Sequence, residues 1–235
     1  MKQTLVLLLT FCAVISSEAQ RNVFAEIFTN SHCSPCAAMH AAVNSHITTT
    51  QRDQNVVVVY YHLPVYLDDP IYQANTVQPM QRAQALGGVS GTPTTFFDGV
   101  RQTGSYQTWP SVLDRLIGEE SPLAISADMS ASADSVVATY TIDRGDSPEA
   151  LRLYGVVVED ITYRGRNGVS DHSGAMRTLL TAVQGQNLVF DEAGKASGRL
   201  SVPSSPIWTL QNLRVVLSLQ RSTSSTSLSV LQVEP

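Results

Sequence analysis

The sequence predicts an α/β layer followed by an all-β sandwich, and three observations carry that reading. Between residues 20 and 120, short apolar runs alternate with stretches of helical periodicity, the grammar of a sheet covered by helices. From Ser121 onward, β-rich runs recur at short intervals between Gly, Ser, Asp and Pro clusters, as antiparallel strands do. Third, Cys33-Ser34-Pro35-Cys36 falls where the first strand should hand over to the first helix.

Taken in order, Met1–Ala19 has the layout of a secretory leader. Lys2 supplies the positive start, Leu5 to Ile15 the apolar stretch, and Ser17-Glu18-Ala19 the cleavage region. Cys12 lies within it behind bulky Phe11, a poor setting for lipid attachment, so Cys33 and Cys36 are the only cysteines of the processed chain. Asn22–Thr29 predicts a short buried strand. Pro35–Ile47 predicts an amphipathic helix, with Met39, Val43 and Ile47 on one stripe. Asn55–Leu63 is a continuous β-branched and aromatic run, expected of a central strand covered on both faces. Asp68–Leu86 predicts a helical stretch interrupted by Pro79. Thr94–Asp98 predicts a strand turning at Gly99, and Trp109–Ile117 a helix with Pro110 in its first turn.

The expected strands of the second part are Leu123–Met129, Val136–Ile142, Leu151–Val158, Thr178–Val183, Gly198–Val202, Leu213–Leu219 and Leu228–Val233. They suit an immunoglobulin-like sandwich. The organisation expected is a leader over 1–19, an α/β domain over 20–120 and a β domain over 121–235, with Glu119-Glu120-Ser121-Pro122 at the boundary.

Net charge is −5, and leader cleavage leaves it unchanged because Lys2 and Glu18 depart together. That mild acidity, with no basic run, argues against nucleic acid or an anionic membrane as partner. Nothing after the leader is apolar for long enough to span a bilayer. Lys195 is the sole lysine of the processed chain, which disfavours amine-based covalent chemistry near the dithiol.

An exported C-x-x-C can be a redox pair, a metal site or a stapled turn. For redox work the spacing has a physical logic. The first cysteine sits at a helix N-terminus, where unpaired N–H groups and the dipole favour a thiolate. The second, further into the first turn, is shielded and attacks the mixed disulfide. Cys33 is then the nucleophile and Cys36 the resolving thiol. An inert disulfide here would close a tiny loop and remove little chain entropy. For a metal, His32, Cys33, Cys36 and His40 suit Zn²⁺ or Cu(I) by ligand type, but a helix histidine at His40 packs more readily than it ligates. No metal is expected. His62, at a strand end, is read as structural, as are His46 and Tyr60. His172 with Asp171 and Arg177 is either a binding patch or, as favoured, a tether between strands.

Val89-Ser90-Gly91-Thr92-Pro93-Thr94-Thr95-Phe96-Phe97-Asp98-Gly99, placed after strand, C-x-x-C, helix, strand and helix, resembles the thioredoxin superfamily over about Asn22–Glu120. The resemblance implies that Pro93 is cis beside the dithiol. It also implies that Thr92 touches Cys33, and that the Thr92-Pro93 loop offers backbone hydrogen bonds to an extended substrate. Two positions depart from the family. His32 stands where many thioredoxins have Trp, and is either a redox-tuning imidazolium beside Cys33 or a surface histidine without redox role. Ile27 stands where thioredoxins carry a buried carboxylate. Glu26, one residue earlier, is either a proton relay for Cys36 or a charge on a strand end.

The chain further resembles a secreted bacterial family related to an outer-membrane protein called outer membrane protein twenty-eight. The shared cues are Glu26-Ile27-Phe28-Thr29-Asn30, Tyr61-His62 then Asp69-Pro70, and Val158-Glu159-Asp160 with His172 and Arg177.

The expectation is therefore an exported thiol-disulfide oxidoreductase, periplasmic or outer-membrane associated. It needs no cofactor beyond the Cys33–Cys36 disulfide, acts on a protein thiol or disulfide, and is served by a membrane electron donor or acceptor. The alternative is a non-catalytic envelope binding protein with a static disulfide.

Overall fold

In the computed structural model, residues 21–49, 55–121 and 123–235 are described. The leader expectation, with Cys12, lies outside them, as does Pro122 of the expected boundary.

Strand β1 (Val23–Thr29) leads into helix α1 (Ser34–Thr49) and strand β2 (Val56–His62), which pairs with β1 in parallel. Helices α2 (Pro70–Ala74) and α3 (Gln78–Ala85) follow, then β3 (Thr94–Phe97), β4 (Val100–Arg101) and α4 (Trp109–Ile117). After α4, the described residues form only strands and one short 3₁₀ turn: β5 (Ala124–Ala131), β6 (Ser135–Asp143), β7 (Leu151–Thr162), β8 (Asp171–Leu179), β9 (Gln186–Asn187), β10 (Lys195–Pro203), β11 (Leu213–Arg221) and β12 (Ser227–Val233). The protein is thus mixed α/β with few helices.

Strand alternation explains the layers. Val23, Ala25 and Ile27 of β1 face α1 and α4, meeting Met39, Val43, Trp109, Leu113 and Ile117. Phe24 and Phe28 face the other way, with Val57, Val59 and Tyr61 of β2, onto Tyr154, Val156, Val158, Met176 and Val216. The opposite faces of β7 and β11 (Leu151, Leu153, Val157, Leu213, Val215, Leu217, Leu219) close a second core against Val136, Ala138, Ile142 and Leu200 of the small sheet β10-β6-β5. The first sheet, the β1–β4 region, therefore lies between α1 and α4 on one face and α3 with the second part on the other, so β1 and β2 are buried on both faces.

The large sheet runs β12-β11-β7-β8-β2-β1-β3-β4, with β9 alongside β7. Its two halves meet through a single bridge, Tyr60 to Ala175. Gly174, at φ +78°, makes that approach possible: a Cβ there would lie 2.6 Å from the Val58 carbonyl oxygen.

Two expectations are corrected. The strand expected at Thr178–Val183 is Asp171–Leu179. The segment around His172 joins the sheet because its polar residues find partners, Arg177 with Glu159 of β7 and His172 with Tyr163 just beyond it. Pro79 does not interrupt a helix but opens α3, as Pro70 opens α2. The break at Asn75 is held by Asn75 Oδ1, which accepts from the Gln78 amide at 3.1 Å.

Candidate functional site

α1 begins at Ser34, which places Cys33 immediately before the helix and Cys36 in its first turn. The two form a disulfide with an S–S distance of 2.04 Å. The Cys33 amide donates to Asn30 O at 3.1 Å and the Cys36 amide to Cys33 O at 3.2 Å, which fixes the turn. Cys33 is 3% exposed and Cys36 fully buried, while Ser34 and Pro35 between them are exposed.

Thr92–Pro93 is a cis peptide. β3 pairs with β1 so that Thr94 stands opposite Phe28, which puts Pro93 at the end of the sheet where Thr29 leads toward the dithiol. Thr92 is half-buried, and its hydroxyl oxygen has no hydrogen-bond partner.

His32 is not a surface histidine. Its side chain is buried, with Nδ1 3.2 Å from Asp68 Oδ1, Nε2 3.4 Å from the Tyr163 hydroxyl, and Tyr66 edge-on at 6.1 Å. Asp68 forms an ion pair with Arg166. Desolvation alone would raise the Asp68 pKa, but Arg166, a backbone hydrogen bond and His32 together outweigh it and hold the carboxyl below its ordinary value.

Glu26 is neither a strand-end charge nor a neighbour of the Cys36 helix. It shares the face of Phe24 and Phe28, while Ile27 takes the face under α1. Arg82 grips it with both arms, Nε to Oε1 at 2.7 Å and Nη2 to Oε2 at 2.8 Å, and the Tyr61 hydroxyl donates to Oε1 at 3.0 Å. Both charged side chains are fully buried. The Glu26 carboxylate thus lies on the face of β1 opposite α1. Glu26 instead ties α3 and the first sheet to Tyr154 of the second part.

Three buried histidines gather at the same end of the first sheet. His40, one helical turn beyond Cys36, stacks on Tyr60 at 4.3 Å, and its Nε2 lies 3.0 Å from Thr29 Oγ1. Burial, helped by His62 and His172, lowers its pKa to about 3. His62 Nδ1 meets Asp69 Oδ2 at 2.7 Å, and Asp69 also accepts from the Ser31 amide and caps α2. Burial would raise the Asp69 pKa, but the His62 bond and charge outweigh it and hold the carboxyl far below its usual range. His172 donates from Nε2 to Tyr163 O at 3.0 Å, and its ring stands 5.6 Å from that of His62. Burial lowers its pKa too. Arg177 pairs with Glu159 at 2.6 Å, so Arg177 ties β8 to β7 while His172 ties β8 to the segment just after β7.

The four residues whose types suit a metal are otherwise engaged: the sulfurs with each other, His32 with Asp68, His40 with Thr29. Among the described residues, no group of three His, Cys, Asp or Glu is placed to hold a metal ion.

The sequence reading missed the finger Tyr163–Ser170, between β7 and β8. Asn167 Nδ2 reaches Asn30 O at 3.4 Å and Cys33 O at 3.3 Å, and the Asn167 amide donates to Ser31 O at 3.3 Å. The signal available was Gly165-Arg166-Asn167-Gly168, a tight-turn composition whose target nothing local reveals.

The C-x-x-C disulfide at a helix N-terminus is set in a mixed α/β fold with a strand-rich second part. Solved structures share this fold. HBP35 of Porphyromonas gingivalis matches over 92% of this chain and 77% of its own, with TM-score 0.78 and 17% identity. A protein of Agrobacterium tumefaciens matches over 91% and 95%, with TM-score 0.57 and 16% identity. A domain of the outer membrane lipoprotein Omp28 of P. gingivalis overlaps 48% of this chain and 88% of its own at 13% identity, with a TM-score of 0.38, too low to argue from. No family model matches the sequence, and no curated protein does.

Proposed function

We propose that this chain is an exported, thioredoxin-like protein that exchanges disulfides with partner proteins through Cys33 and Cys36. The observation that carries the reading is the Cys33–Cys36 disulfide at the start of α1, at the same sheet end as the cis Thr92–Pro93 bond. A partner thiolate attacks Cys33 Sγ, the Cys33–Cys36 bond breaks, and its electron pair passes to Cys36 Sγ, which takes up a proton. A second thiolate of the partner then attacks the mixed disulfide and releases Cys33 as thiolate. The partner gains a disulfide and the protein gains two electrons. A disulfide-bonded or membrane-bound electron carrier restores the oxidised form, and the reverse sequence reduces a partner.

Thr92-Pro93 positions the partner segment, and His32, held against Asp68, directly precedes the attacked cysteine. The leader over residues 1–19 supports export to the periplasm or outer membrane, and no helix among the described residues is long and apolar enough to cross a membrane. The division into an α/β domain to residue 120 and an immunoglobulin-like domain from 121 belongs to the same proposal.

One observation favours the rival reading of a non-catalytic envelope binding protein: Cys33 is only 3% exposed. The equilibrium reduction potential separates the two. The processed protein, poised in graded thiol-disulfide buffers and alkylated, should show half-reduction between roughly −120 and −270 mV. A disulfide intact below about −300 mV marks it as structural and hands the assignment to the binding-protein reading.

A further inference from the structure

A thiol attacking Cys33 Sγ must reach it from solvent, yet Cys33 is nearly buried, with buried His32 before it and exposed Ser34 after it. What lies on the turn leading to it is the finger Tyr163–Ser170. Its footprint is the run Asn30–Cys33. The Asn167 side chain donates to the Asn30 and Cys33 carbonyls, and the Asn167 amide donates to Ser31 O. Tyr163 reaches His32, and Arg166 pairs with Asp68. Gly165 lies so flat on the turn that a Cβ there would come within 2.1 Å of Ser31 O.

We propose that this finger is a displaceable cover over the dithiol, occupying the place of an extended polypeptide segment that docks there to exchange its disulfide. The inference rests on the exchange reading above. Three carbonyls in the run Asn30–Cys33 receive N–H donors from one residue, Asn167, and such donors are what the backbone of an extended partner carries. Removing the finger withdraws those donors, so the partner can supply its own at the moment Cys33 is uncovered.

The finger is built to move as a unit. Its own bonds hold its shape: the Tyr163 amide to Ser170 O at 3.0 Å, the Gly165 amide to Val169 O at 2.9 Å, the Gly168 amide to Gly165 O at 3.0 Å and the Val169 amide to Asn167 Oδ1 at 3.1 Å. Its grip on the turn is looser. The bonds to the turn measure 3.3 to 3.4 Å, at or beyond the long end of the useful range. The ion pair joins side chains that are 64% and 51% exposed, a setting in which pairs hold weakly. A cover open in roughly one molecule in a hundred slows attack by about that factor.

The test is the rate at which dithiothreitol reduces the disulfide in the full processed protein, followed by alkylation and mass. Three forms are compared: wild type, Asn167→Ala, which removes the side-chain donors, and Gly165→Val, which wedges the finger off Ser31. Circular dichroism confirms that each is folded. Both variants should react about tenfold faster or more, and Asn167→Ala keeps the test alive should Gly165→Val fail to fold. Equal rates in variant and wild type, with reduction proceeding, overturn the cover and leave the exchange reading standing. A disulfide that resists dithiothreitol in every form overturns both.

Discussion

Replacing Arg82 by alanine should destabilise the fold by about 3–5 kcal/mol, the usual loss when one partner of a buried ion pair is removed. Arg82 and Glu26 are both fully buried and bonded through two parallel contacts of 2.7 and 2.8 Å. The guanidinium does more than neutralise the carboxylate. Nη1 donates to Val183 O at 3.1 Å, and the group lies 4.0 Å over the Tyr154 ring. The Tyr61 hydroxyl donates to Glu26, and its oxygen lies 2.9 Å from that of Tyr154. Since Tyr61 has spent its only hydrogen on the carboxylate, Tyr154 must be the donor. Burial holds both phenols above their ordinary pKa, so the chain of bonds stays protonated. For Arg82 burial alone would lower the pKa, but Glu26 reverses it. Without Arg82, a carboxylate is stranded in a core shared by the two parts of the molecule. Urea unfolding reads the loss directly. Glu26→Gln with Arg82→Met removes both charges and should recover more than half of it. A loss below about 1 kcal/mol for Arg82→Ala would place Glu26 in contact with water and contradict its burial.

The same network shows where sequence reasoning ran out. α4 was legible to the residue, because Pro110 marks its start and Leu113 and Ile117 repeat at helical spacing. β2 was legible as a strand buried on both faces from its unbroken apolar run. Glu26 was not, because its partner Arg82 stands 56 residues away and only the fold brings them together. β8 was misplaced for a related reason. Asp171, His172, Gly174 and Arg177 have the composition of a loop, and they become a strand once Tyr163 and Glu159 satisfy His172 and Arg177. The Cys33 turn was legible as chemistry, through its spacing and the Thr92-Pro93 motif. Its covering by a finger from the second part was not, since the contacts are to backbone carbonyls, which carry no sequence signature.

Acid should weaken this protein, and His40 should account for about 2 kcal/mol of the loss between pH 7 and pH 5. Burial first, then His62 and His172, holds its folded pKa near 3, whereas the unfolded chain titrates near 6.5. The unfolded state therefore takes up a proton that the folded state refuses. The stability is fully present above about pH 6.5 and is lost progressively as pH falls toward 3. His172 acts with the same sign. Asp69, held far below its usual value, adds a further loss below about pH 4. Asp98 works against them. Burial, only partly countered by Arg21, raises it to about 6, so its ionisation weakens the fold at neutral pH and acidification relieves that cost. Because the terms oppose one another, the raw pH profile does not isolate any of them; the difference between wild type and His40→Gln does. Glutamine keeps a partner for Thr29 Oγ1 but cannot take up a proton. The variant should show about 2 kcal/mol less stability change between pH 7 and pH 5 in urea titrations. An identical slope in both proteins would mean that His40 accepts a proton in the folded state. The contact of its ring with Tyr60 would then have to open to water in the native protein, beneath the helix that carries the dithiol.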